Sequence, residues 1–266
     1  MLRRLICAAA MVVAACRTET PRRSFQLATT TSVENSGLLR VLAARFEQRS
    51  GIAVHPFVVG SGKALKMAEA GEVEVTITHD PEAEGAFVAA QRPELYRQFM
   101  WNDFVIAGPP DDPAGARQAR SAVDAFARIH RARAKFASRN DRSGTHTAEL
   151  RLWRDAGADP AANPHYLRLG QSMASLLRSA SELQAYALTD RATYDALAPS
   201  LELRVLFEGD PRLRNVYALT LVRRDRDTQN HRDARRFAQW LLSAEGRQAV
   251  EQFAVAGKRQ FRWIDG

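Results

Sequence analysis

Cysteine is nearly absent from this chain. Its 266 residues include two, Cys7 and Cys16, both near the start. Whatever folds from the remainder can form no internal disulfide and must be held by its core. A long apolar run is missing as well: residues 5–15 are apolar but too few to cross a bilayer comfortably. No internal repeat or low-complexity tract stands out, which sets repeat architectures aside. The strained elbow Gly-x-Ser-x-Gly of many hydrolases is also missing. Ser143, His146 and Asp141 could be drawn as a hydrolytic trio, yet Ser143 and His146 stand only three apart at a helix start. An enzyme is therefore not expected. His55, His79, His130, His146, His165 and His231 lack ligand spacings such as i, i+4 pairs with acids, so no metal site is expected.

What is present begins with a targeting segment. Arg3 and Arg4 make a positive start to the apolar stretch, which ends Val13-Ala14-Ala15-Cys16. That ending resembles a bacterial lipobox, in which small residues admit the peptidase and the cysteine takes the lipid. The expectation is a signal peptide over 1–15, lipidation at Cys16 and a polar tether over 16–24. A plain secretory signal cut near Ala15 is the alternative. Removing Arg3 and Arg4 lowers the 38 basic residues to 36 against 30 acids, so the formal +8 becomes +6. The arginines are scattered, and an exported protein rarely meets nucleic acid. The charge therefore reads as solvated surface with a mild pull on anions, and no nucleic-acid partner is expected. Hydrophobic content of 45% and charged content of 26% suit a folded soluble protein, and the length suits two lobes.

Patterning predicts an α/β chain. A strand over 25–28 leads through Thr29-Thr30-Thr31-Ser32 to a helix over 37–49, with Leu38, Leu39, Leu42 and Phe46 at helical spacing. A strand over 52–59 leads through Gly60-Ser61-Gly62-Lys63 into a helix over 64–70. A third, over 73–78, leads through His79-Asp80-Pro81 into a helix over 82–91. This β-α-β-α-β-α order argues for a parallel sheet with crossover helices. Ligands of such sheets sit beyond the carboxyl ends of the strands, where all three turns lie. A strand over 99–108 and the run Pro109-Pro110-Asp111-Asp112-Pro113 mark a crossing into a second lobe that repeats the pattern. The expected division is 25–102 for lobe one, 103–205 for lobe two, and 206–266 for a return to lobe one and the C-terminal helices.

The stretch Ser138-Arg139-Asn140-Asp141-Arg142-Ser143-Gly144-Thr145-His146 opens a helical run over 147–155. The first N–H groups of a helix have no partner in their own helix and carry partial positive charge. Ser143, Gly144 and Thr145 let an anion approach those groups, and Arg139 adds a fixed charge with a fork of donors. The reading is a pocket for a small tetrahedral oxyanion. An ordinary capped helix after a polar turn is the alternative.

Taken together, several turns resemble the periplasmic solute-binding proteins of ABC importers, in particular their tungstate-binding branch. The pieces are Thr29-Thr30-Thr31-Ser32, Val59-Gly60-Ser61-Gly62-Lys63-Ala64-Leu65 and Trp101-Asn102-Asp103-Phe104-Val105-Ile106-Ala107-Gly108-Pro109. To these add the Ser138 to His146 stretch, Gly170-Gln171-Ser172-Met173, and Leu188-Thr189-Asp190-Arg191-Ala192-Thr193-Tyr194. The Arg-x-x-x-Ser-Gly-Thr spacing is similar to phosphate-binding proteins too. The resemblance implies a type II periplasmic binding protein-like α/β fold: two lobes, each a mostly parallel sheet flanked by helices, with a hinge and an oxyanion between them. It implies lobe-one contacts from Thr30, Thr31, Ser32, Ser61 and Gly62, and lobe-two contacts from Arg139, Ser143, Gly144, Thr145, Ser172 and Met173. It implies no cofactor: the ligand is a tungstate or molybdate oxyanion held by hydrogen bonds, with phosphate or sulfate as alternatives. The implied partners are an ABC transporter permease and the membrane, through the lipid at Cys16. The implied setting is a monomer in the periplasm or cell envelope. His79, at a strand end, is expected to line the pocket. The chain departs from the family's usual threonine at Ser61, its glycines at Asn140, Ser172 and Ala174, and its alanine at Asp80, where a carboxylate would repel a dianion.

Overall fold

The computed structural model describes residues 23–255 and 257–265. The expected signal peptide, Cys16 and most of the tether lie outside the described residues. β1 (Ser24–Thr30), α1 (Thr31–Ser36), α2 (Leu38–Ser50), β2 (Ala53–Val59), α3 (Ser61–Ala70), β3 (Val75–Thr78) and α4 (Pro81–Ala89) form the first half of lobe one. β1 lies between β2 and β3 and runs parallel to both. Helices cover both faces of such a strand, so its end is buried on successive residues rather than alternate ones. The stretch after Thr30, expected as a turn, is a short helix. It is too brief to display a helical period, and Gly37, at φ 89, ends it and starts α2 in a new direction.

β4 (Pro93–Gly108) is long because it serves two lobes. Its first part pairs antiparallel with β9 (Arg214–Val222), as far as Asp103 opposite Arg214. From Phe104 onward it pairs antiparallel with β7 (Ala187–Asp190), and from Ile106 with β8 (Arg204–Phe207). Lobe two also holds α5 (Ala122–Arg131), β5 (Phe136–Ser138), α6 (Gly144–Asp155), β6 (Tyr166–Arg168), α7 (Met173–Leu183) and α8 (Arg191–Leu197). β5 and β6 are parallel. The return to lobe one comes later than the expected residue 206. Leu206 and Leu213 pack into the lobe-two core with Phe104 and Phe126, because β8 still needs β4 as its partner. The chain crosses back on β9, beside β4. The two crossing strands are therefore hydrogen-bonded neighbours, and together they form the hinge.

α9 (Gln229–Leu241) and α10 (Ala244–Glu251) close lobe one, and three short strands follow: β10 (Ala254–Val255), β11 (Lys258–Arg259) and β12 (Arg262–Trp263). The lobe-one strand order is β12-β4-β9-β3-β1-β2. Each lobe has its own aromatic centre. In lobe one, Phe46 meets Phe237 edge-on at 5.2 Å and tilts against Trp240 at 5.5 Å. In lobe two, Trp153 packs edge-on against Phe126 at 4.4 Å and Phe136 at 5.0 Å. Such pairs contribute about 0.5–1.5 kcal/mol each beyond area burial. Separate cores let the lobes move as units about the strands between them. Where the lobes touch, α1 packs on α8, and Gln260 donates to the Asp195 carboxylate at 3.3 Å.

Candidate functional site

The carboxyl ends of β1, β2 and β3 face lobe two; β1 and β3 end in threonine, and β2 is followed by Gly60 and Ser61. Thr30 sits at the N-cap position of α1, but its hydroxyl pairs with the Ser32 hydroxyl at 2.9 Å and leaves the helix end without a side-chain cap. Ser61 opens α3, and its hydroxyl accepts the His79 N–H at 3.1 Å; the N-cap residue is Gly60, so α3 has no side-chain cap either. First-turn N–H groups on both helices are thus left for another acceptor. Thr31 and Gly62 are half-buried on the same two helix starts. His79 is 6% exposed. Its Nε2 lies 3.3 Å from the Ser32 hydroxyl, and its ring tilts against Tyr217 at 4.9 Å. Tyr217 donates to Ser32 at 3.1 Å.

Lobe two supplies the facing wall. Arg139 follows β5 and is 5% exposed. Asn140 and Arg142 both have positive φ, 48 and 58, which coils the loop so that Asp141 folds back. Asparagine tolerates that region, which explains how it stands where the family has glycine. The Asp141 carboxylate pairs with the Arg139 guanidinium and accepts the Ser143 N–H at 3.0 Å. Ser143 caps α6 by accepting the His146 N–H at 3.4 Å. Thr145 is 2% exposed. Among the described residues, the Arg139 Nε, the Thr145 hydroxyl and the Asn102 amide nitrogen are buried without a hydrogen-bond partner. Buried donors left this way are costly, so several at one interface point to an acceptor that sits among them. Beside them lies a cavity of about 60 Å³, lined by His79, Asp80, Gly144, Arg151, Arg214 and Asn215.

The structure thus brings Thr30, Thr31, Ser32, Ser61, Gly62, Arg139, Ser143, Gly144 and Thr145 to the ends of elements that face each other. Two expected residues differ. Ser172 is exposed and caps α7, accepting the Ser175 N–H at 3.3 Å. Met173 buries its side chain in the lobe-two core beside Leu176 and Leu177. Asp80 caps α4, accepting the Ala83 N–H at 3.2 Å. Lys63 is exposed. The hydrolytic trio is not assembled: the His146 Nδ1 accepts the Arg142 N–H at 3.1 Å, and Asp141 is held by Arg139.

Burial sets the protonation of the wall. It lowers His79 to about 4, assisted by the nearby Arg139 charge and opposed by a bond with Asn215, so the ring is neutral at ordinary pH. Burial also lowers His146. It raises Asp190, which caps α8 through two bonds from Thr193 and has Arg139 nearby. Asp190, Asn102, Asn215 and Tyr217 were not singled out from the sequence. Asn102 and Asp190 stood inside the motifs quoted above. Asn215 and Tyr217 lie two apart on β9, the strand period that puts both on one face.

A model of the PBP superfamily domain matches residues 16–245, and the chain belongs to that superfamily. It is 36% identical over 241 residues to the tungstate-binding protein TupA of Peptoclostridium acidaminophilum, covering 90% of this chain and 83% of the relative. Among solved structures it is similar to the tungstate ABC transporter from Geobacter sulfurreducens, with 38% identity, a TM-score of 0.77, and coverage of 85% of this chain and 97% of that one. It is also similar to the tungstate-binding protein TupA from Desulfovibrio alaskensis G20, with 36% identity, a TM-score of 0.78, and coverage of 92% and 100%. The two-lobed periplasmic binding protein fold is the one expected.

Proposed function

We propose that this protein captures a tetrahedral oxyanion, tungstate or molybdate, between its lobes outside the cytoplasm and delivers it to an ABC transporter permease. The observation that carries the reading is the set of buried donors without partners where the lobes meet, above all the Arg139 Nε and the Thr145 hydroxyl. The relatives named for tungstate support the choice of ligand. The proposed contacts are Thr30, Thr31, Ser32, Ser61 and Gly62 from lobe one, and Arg139, Ser143, Gly144 and Thr145 from lobe two. Ser172 and Met173 could contribute only through the start of α7, since one side chain is exposed and the other is in the core.

Chemistry favours an ion with no proton. Tungstate and molybdate are fully ionised near neutral pH and accept at every oxygen, whereas hydrogen phosphate also needs an acceptor in the pocket. Of the two carboxylates nearest the site, Asp141 pairs with Arg139, and one oxygen of Asp80 caps the start of α4. Lobe closure excludes water and strengthens the remaining bonds. The closed shape is the one a permease reads.

Isothermal titration of the purified mature domain with tungstate, molybdate, sulfate and phosphate tests this. Tungstate and molybdate should bind far more tightly than the other two. Preference for phosphate would transfer the reading to a phosphate carrier of the same fold, and binding of none would end it. The proposal includes a monomer tethered by a lipid at Cys16. Cys16→Ala should release the protein from the membrane fraction, and unchanged fractionation would remove the anchor from the proposal.

A further inference from the structure

The lobes approach each other closely at Gly144. A Cβ built on it would lie 2.5 Å from Cε1 and 2.6 Å from Nδ1 of the His79 ring, and 2.7 Å from the His79 carbonyl oxygen. Real side chains essentially never come so near, and one of the blocking atoms is backbone that cannot rotate away. The neighbouring contact is looser: a Cβ on Gly60 would meet Ser143 Cα at 4.0 Å, ordinary contact. Nothing local demands glycine at 144. It is the first residue of α6, and its backbone lies outside the positive-φ region. Alanine suits a helix better than glycine does. The requirement comes from the other lobe.

His79 is held firmly enough to act as a stop. Its N–H donates to Ser61, its Nε2 faces Ser32, and its ring rests on Tyr217. We infer that the seat of His79 on Gly144 sets how far the two lobes close, and that a side chain at 144 would hold the cleft ajar. His79 is then a positioning residue: it fixes the distance at which lobe-two donors meet an anion resting on lobe one. The inference deepens the oxyanion reading and uses it for the ligand that drives closure.

Gly144→Ala tests it, with Gly85→Ala as a control, since nothing lies within 4 Å of a Cβ at Gly85 in α4. Three quantities are measured: the melting temperature, the affinity for sodium tungstate, and the radius of gyration by X-ray scattering with and without saturating tungstate. Gly144→Ala should melt at or above the parent temperature. It should bind about tenfold to 100-fold more weakly, the range that overpacking gives. Its radius of gyration at saturation should stay near the ligand-free value, while the parent and Gly85→Ala contract. Contraction of Gly144→Ala to the parent radius overturns the inference, whatever its affinity, because Gly144 would then serve the ligand and not the closure.

A parent protein that fails to bind tungstate sinks the oxyanion reading alone. The stop is then read without ligand, from the interlobe distance between spin labels on α3 and α5. The sequence after Cys16 has no cysteine to interfere. Gly144→Ala should remove the shortest distances, those of transiently closed molecules, and an identical distribution overturns the stop. If Gly144→Ala does not fold, His79→Ala takes its place. Tungstate should leave it about tenfold faster, since affinity changes of this kind fall mainly on dissociation, and an unchanged rate overturns the inference.

Discussion

Asn215 donates its side-chain amide to the Asn102 side-chain oxygen Oδ1 at 2.8 Å, tying together the two strands on which the lobes turn. The same amide reaches the Tyr217 hydroxyl at 2.8 Å, and Tyr217 donates to Ser32 at 3.1 Å. Hinge and lobe-one wall are therefore one hydrogen-bonded unit. Asn215→Leu keeps similar volume, leaves the Asn102 side-chain oxygen without its donor, and costs the Tyr217 hydroxyl one of its bonds. It should lower unfolding free energy by about 1–3 kcal/mol and weaken tungstate binding as well. Urea titration and calorimetry measure the two effects, and a stability loss with affinity intact would separate hinge from site.

Arg139 is the fixed positive charge of the cleft. Arg139→Ala should abolish most affinity for tungstate. Arg139→Lys keeps the charge but loses the planar fork and should fall between the two. Charge-assisted bonds contribute about 1.5–3 kcal/mol, so a loss of at least about tenfold is expected for the alanine variant. Unchanged binding in Arg139→Ala, read by titration calorimetry, counts decisively against this pocket.

Thr145 offers an opposite pairing of stability and function. Among the described residues its hydroxyl is buried without a hydrogen-bond partner. Thr145→Val removes the oxygen and retains the branched shape. The melting temperature should hold or rise, while affinity falls by about fivefold to tenfold, the value of one hydrogen bond. A variant that loses stability and keeps affinity would move the hydroxyl out of the site.

Two buried groups give pH dependences of opposite sign. Burial raises Glu149 to about 7, against bonds from Tyr166 and Trp153. Its stabilising effect is full below the ordinary 4.5 and is lost as pH rises through 7. His79 lies near 4 instead of 6.5, so its effect is present above 6.5 and lost as pH falls towards 4. Each is on the order of 3 kcal/mol, and over their common window they oppose each other. Glu149→Gln should therefore leave stability rising from pH 4.5 to 6.5, and His79→Gln should leave it falling from 4.5 to 7. Scanning calorimetry across that range decides; two parallel profiles would refute both assignments.

Most of the fold was legible in the sequence because its signals are local. Alternation of apolar strands with helical periods over 25–91 marks parallel β1, β2 and β3, and Gly51 and Gly71 end their helices as expected. α1 was missed because six residues are too few to show a period. The return crossing was placed early because a strand's partner is not written in its own residues. β8 reads like any short apolar strand, and only its pairing with β4 keeps it in lobe two. For the site, Arg139, Ser143 and Thr145 were legible as donors at a helix start. Ser172 resembled them in motif, but its hydroxyl is occupied by Ser175.

The amino-acid order by itself determined the element types, the hydroxyl-rich strand ends and a set of donors suited to an anion, since propensity, capping and charge act between near neighbours. Only the tertiary structure decided which donors lack partners, that Asp141 is taken by Arg139, and that His79 rests against Gly144. Those outcomes depend on where distant segments come to lie once two cores have packed and two strands have joined them.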